Sequence, residues 1–204
     1  MEVIRGRGVA QMAVAARRHA AVARLAYPML GIAAAGYSVV ALELAFAGAM
    51  PMPEPFLRIA DADYFAWGAL FYAPVIIAAW FIGSGVAYGV AHAFGARADF
   101  DRLLRAMAFA TGIGTLGTLV PDLITSPLRA TGVISEQAWE ASIASASGGW
   151  FVFTWATLVA YLVLFVVAYP VAVASATRLR TWRAAVAGLA AFAAFQGFEF
   201  VFIR

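Results

Sequence analysis

A chain of 204 residues that is 64% apolar and 12% charged has more apolar surface than one water-surrounded core can bury; soluble domains are about half apolar and about a quarter charged, so a soluble globular fold is excluded. With no cysteine, a disulfide framework, a thiolate metal site and a cysteine nucleophile are excluded as well. The net charge of +3 comes from fourteen arginines and no lysine, eleven of them in three short segments between apolar stretches, a pattern that marks membrane orientation and speaks against nucleic-acid binding.

Residues 1–24 form a basic arm in which Arg5, Arg7, Arg17, Arg18 and Arg24 stand among Val and Ala. The arm is expected to lie on the bilayer surface, helical from Val9 to Arg24, with its arginines on lipid phosphates. A first span follows over 25–48. Pro51, Pro53 and Pro55 then block a continuous helix through the acidic loop 50–63. The second span is predicted over 65–94 with Pro74 inside it, and a short loop leads to the third, over 103–124. Pro121 is read as marking the end of that span. In the long connection 125–148, Ser135 is expected to cap a short surface helix carrying Ile134, Ala138, Trp139 and Ile143 on one side. The fourth and fifth spans are predicted over 150–176 and 182–203. Every span meets the ~20 residues that a ~30 Å hydrocarbon core requires.

The expected fold is all-α: a polytopic five-helix membrane bundle, residues 25–204, preceded by the arm. Cytoplasmic loops carry excess arginine. The arm, then Arg97, Arg102 and Arg105, then Arg178, Arg180 and Arg183, fall on one side, opposite Arg58, Arg129 and Arg204 with most of the loop acids. The N-terminus is therefore predicted inside and the C-terminus outside, in a multi-pass protein of a cell inner membrane. Tyr64, Phe65, Trp67 and Trp150 are expected at the outer interface, and Tyr27 and Trp182 at the inner one. Lipid is the first partner, with other membrane subunits or a second copy of the chain beside it.

Gly112-x-Gly114-x-x-Gly117 has the letters of a dinucleotide fingerprint. That fingerprint needs a preceding strand and a helix N-terminus in water, whereas these glycines fall inside a span. They are read instead as helix-packing positions, as are Gly85 and Gly89. On this reading the second and third spans form an antiparallel hairpin packed through their glycines. Three acids also fall within spans: Glu43, Asp122 and Glu199. At ~1.5 Å of rise per residue they lie roughly 28, 25 and 24 Å from the arginines that open their helices. All three are expected near the outer boundary, as a candidate polar cluster with Gln196, which shares a helix face with Glu199. His19 and His92 both map to the inner side and make no plausible haem pair. No cofactor, metal or catalytic set is expected.

The segment AHAFGARADFDRLLRAMAFATGIGTLGTLVPDLI, residues 91–124, resembles the central part of the Yip-domain family, with Phe100, Leu104, Ala108, Phe109 and Pro121 at matching places. The stretch YPVAVASATRLRTWRAAVAG resembles that family's turn between its fourth and fifth spans. The resemblance implies five spans with the N-terminus in the cytoplasm. It brings no functional residues, because the arm lacks the Asp-Leu-Tyr-Gly-Pro type motif of the eukaryotic members. The function expected first is a non-enzymatic scaffold or accessory subunit acting through helix faces. The alternative is a small permease or ion-coupled transporter using the three acids.

Overall fold

The computed structural model describes the backbone of residues 2–51 and 59–203, and the side chains of 24–51 and 59–203. Every regular element among them is helical: α1 (Glu2–Ala47), α2 (Asp61–Ala93), α3 (Phe100–Ala130), α4 (Glu136–Ala144), α5 (Gly148–Thr177) and α6 (Thr181–Phe202). Five of these are long and apolar enough to cross a membrane, α1 from Arg24 onward. The arm's helix is continuous with the first span, and starts earlier than Val9. Arg24 is exposed; the side chains of Arg5, Arg7, Arg17 and Arg18 lie outside the described residues, as does loop segment 52–58.

Helix α2 begins a turn before its predicted start, with Asp61 and Asp63 in its first turn, where carboxylates offset the exposed N–H groups and the positive end of the helix dipole. Near Pro74, Ser38 Oγ of α1 accepts a hydrogen bond from Ala73 N–H at 3.3 Å. Helix α3 does not stop at Pro121. It runs through Pro121 and Pro127 to Ala130. A run of hydroxyls supports it there: Thr125 Oγ1 bonds to Pro121 O at 3.2 Å, Ser126 Oγ to Asp122 O at 2.7 Å and Thr131 Oγ1 to Pro127 O at 2.8 Å. Each adds a side-chain bond to the carbonyl four residues before it and so reinforces the last turns of the helix; the carbonyls that the prolines leave without an N–H, those of Gly117 and Leu123, are different ones. The connection to α5 is correspondingly shorter than predicted. Within it Ser135 caps α4 as expected, accepting from Ala138 N–H.

The long helices pack as a closed ring in the order α1, α3, α5, α6, α2 and back to α1, with α4 lying on α5. Sequence neighbours α2 and α3 touch only sparsely; α1 lies against both. The predicted hairpin packed through glycines is therefore corrected. A side chain at Gly85 or Gly89 would meet open space, so these two pack against no other helix of this chain among the described residues. Gly112 faces the α1 backbone at Met29 and Leu30, while Gly114 and Gly117 face Phe165 and Leu164 of α5. On α2 it is Gly83 that packs closely, 3.0 Å from Ala191 O of α6 for an added methyl.

The two ends of the ring differ. At the arginine end, Arg183 donates to Phe94 O at 3.3 Å and lies over the rings of Phe94 and Trp182. Arg102 donates to Ser175 O at 3.0 Å. These arginines join the two short loops as well as charging them. From this end to the middle of the bundle the ring is filled by one apolar core, which includes Leu30, Ile76, Met107, Phe165, Tyr169 and Phe195. At the α4 end, a second cluster of Ala41, Ala49, Tyr64, Phe65 and Tyr72 fills the α1–α2 side. Tyr64 and Phe65 were expected at the outer interface. They are buried instead, Tyr64 donating to Phe202 O at 2.7 Å, because α6 ends against them.

Candidate functional site

On the opposite side of the α4 end, between α1, α3, α5 and α6, the bundle is open. The space is a cavity of about 440 Å³. Helix α3 contributes Thr118 and Asp122, α6 contributes Gln196, Glu199 and Ile203, and α1 contributes Tyr37. Helix α5 lines the remaining wall with Phe153, Thr154, Thr157, Leu158 and Tyr161, and Trp139 of α4 reaches across the mouth.

Each polar side chain is held by local helical geometry. Thr118 and Asp122 are one turn apart on α3 and so share a face. Gln196 and Glu199 are three apart on α6 and do the same. Tyr161 Oη lies 2.7 Å from Gln196 Oε1 and 3.1 Å from Glu199 Oε2, so one phenol proton is shared between an amide and a carboxylate. Tyr37 Oη donates to Thr118 Oγ1 at 2.5 Å, and its phenol is within electrostatic range of both Asp122 and Glu199. Tyr37 thus shares the cavity with both acids. Thr154 Oγ1 is buried against the cavity without a hydrogen-bond partner.

Toward the middle of the bundle the cavity is closed by an aromatic floor. Phe165 stacks on Phe192 at 5.4 Å and on Phe195 at 5.3 Å, and Tyr161 lies 4.6 Å from Phe165. Below them Tyr169 and Thr111 hydrogen-bond at 2.9 Å. The glycine at 114 leaves the room that the Phe165 ring occupies. At the mouth, Arg129 pairs with Glu136 through two of its nitrogens, Nε to Oε2 at 2.8 Å and Nη2 to Oε1. Its guanidinium also lies 4.8 Å from the centre of the Trp139 ring. Trp139 in turn packs on Trp150 at 5.1 Å. One arginine at the end of α3 therefore holds α4 and its tryptophan over the opening.

Of the four expected members of the polar cluster, Asp122, Glu199 and Gln196 meet around this cavity. Glu43 does not line it. Its carboxylate accepts from Ser126 Oγ, one turn beyond Asp122 on α3, and so sits at the same end but in the α1–α3 contact. Sequence reasoning passed over Tyr37, Tyr161, Thr154, Thr157 and Trp139. Two signals were available: Thr154, Thr157 and Tyr161 recur at helical spacing on α5, and Thr111, Thr115, Thr118, Asp122 and Thr125 do so on α3.

The lining offers carboxylates, phenols, hydroxyls and an amide to a ligand, beside an apolar wall. Among the described residues that line it, no side chain is cationic. No protein-family model matches the chain, and no curated protein or solved structure matches it either.

Proposed function

We propose that this chain is a multi-pass protein of a cell inner membrane, similar in span number to the Yip-domain family, and that it works as a small permease or ion-coupled transporter. The arginine end faces the cytoplasm and the cavity opens to the opposite side. The observation that carries this reading is that Asp122 and Glu199, 77 positions apart on two helices long and apolar enough to span a membrane, face one cavity. Ionisable groups there cost several kcal/mol unless they are used or paired, and intramembrane acids around a cavity are characteristic of ion and solute pathways. The aromatic floor supports a bound state closed to the far side, as alternating access requires. Asp122 and Glu199 hold the cation or proton, and Tyr37, in the same cavity, relays or orients it.

The test is uptake in vesicles containing the purified chain, offered amino acids, glucose, 2-phenylethylamine, tetraethylammonium and a proton gradient in turn. At least one is expected to move faster than in empty vesicles. Asp122→Asn and Glu199→Gln should each reduce that movement about tenfold or more, while Glu43→Gln leaves it within about twofold. Movement equal to empty vesicles for the whole panel, or indifferent to both cavity substitutions, removes the reading.

The accessory-subunit reading has one observation in its favour. Helix α5 turns a long apolar face, with Val152, Trp155, Val159 and Val163, to the outside of the ring. Such a face suits a partner helix as well as it suits lipid. A chain that always extracts as a monomer with no companion subunit would count against it.

A further inference from the structure

Taking the cavity as a solute site, we propose that its ligand is an organic ammonium, a protonated primary or secondary amine carrying an apolar group about the size of an aromatic ring. The inference rests on the reading of the preceding subsection for the use of the cavity, and adds what fills it.

Charge comes first. The described lining carries two carboxylates and no cationic side chain. Arg129 is committed to Glu136 and to the face of Trp139. A cation entering the cavity therefore gains attraction from both acids without breaking an ion pair. An anion is repelled, and a neutral solute gains no charge attraction.

Hydrogen bonding narrows the cation. The two carboxylates and Gln196 Oε1 accept, and the hydroxyls of Tyr37, Thr118, Thr157 and Tyr161 beside them can also accept. An ammonium with N–H bonds can donate to several of them at once, whereas a quaternary nitrogen donates to none. Shape supplies the rest. Trp139, Phe153 and Leu158 form an apolar side that has nothing to offer an inorganic ion but suits a hydrocarbon ring, and the indole face attracts a nearby cation. A site for a bare divalent ion would need more oxygen ligands, and among the described residues no three acidic or histidine side chains come together. About 440 Å³ is within the ~300–1,000 Å³ range of small-molecule pockets.

The experiment is calorimetric titration of the purified full-length chain in detergent at pH 7 with 2-phenylethylamine, its neutral counterpart 2-phenylethanol, and the anion 3-phenylpropionate. The amine is expected to bind saturably and at least about tenfold more tightly than the alcohol, with no binding of the anion. Glu199→Gln and Asp122→Asn should each weaken the amine about tenfold or more. Thr157→Phe, which fills the cavity without removing a charge, should abolish binding and keeps the test decisive if the carboxylate variants do not fold. Equal affinity for amine and alcohol overturns the proposal, as does amine binding that survives Thr157→Phe. Amine binding with no transport in vesicles leaves this inference standing and removes the permease; transport of another solute with no amine binding does the reverse.

Discussion

Gly188 of α6 lies against the backbone of Tyr169 and Pro170 in α5, so that a methyl group there would collide with main-chain atoms that no rotamer change can move. Gly114 differs, because a methyl there would meet the Phe165 ring, a side chain. Gly85, with nothing around it, differs from both. Overpacking in a close-packed interior costs about 1–3 kcal/mol. Alanine at an exposed helical glycine stabilises by up to about 1 kcal/mol. Thermal unfolding in detergent should therefore rank Gly188→Ala well below the wild type and Gly85→Ala level with it or above. Equal melting of the two variants would mean that α5 and α6 do not approach as closely as described. The sequence showed all three glycines in apolar stretches. It did not show which of them has a neighbour.

The short helix α4 is the element most easily released, since among the described residues it packs mainly on α5 and is fastened by Arg129. The Arg129 and Glu136 side chains are 12% and 18% exposed, sheltered enough for a paired contact to count. Charge-assisted hydrogen bonds of this kind contribute about 1.5–3 kcal/mol. In Arg129→Ala, amide hydrogen exchange across residues 136–144 should rise roughly tenfold or more, with α3 and α5 retaining their protection. Unchanged exchange in α4 would show that the Trp139–Trp150–Phe153 stack holds the helix without the arginine. Helix α3 makes a related point. Pro121 looked like a stop because proline is usually disruptive in a helix, but α3 runs through it and through Pro127 and places Arg129 beside α4.

Across the whole molecule, the ring order brings together helices that are distant in sequence, and the polarity of its ends bears on the proposed orientation. The natural chain has no cysteine, so single cysteines report cleanly. Val133→Cys, at an exposed position beside α4, should react with a membrane-impermeant maleimide in intact cells. Ala98→Cys, in the loop between α2 and α3, should react only after permeabilisation. The reverse pattern would invert the orientation and turn the cavity toward the cytoplasm.

Hydropathy and charge are sums along the chain, and they do not depend on neighbours. For that reason the number of long apolar helices, their limits to within a turn or so at most ends, the capped helix α4 and the gathering of three acids toward one end could all be read from sequence. Azimuth could not. Helices that are apolar on every side give no strong periodic signal of which face turns inward, and a rotation of one residue, about 100°, carries a side chain from a cavity to lipid. Only packing decided that α1 lies against both α2 and α3, that Asp122, Glu199 and Tyr37 share a cavity, and that Glu43 is turned to Ser126. The glycines acted through the same physics: Gly112 admits the α1 backbone, Gly114 admits the Phe165 ring, and the positions of those two contacts help set the order of the ring.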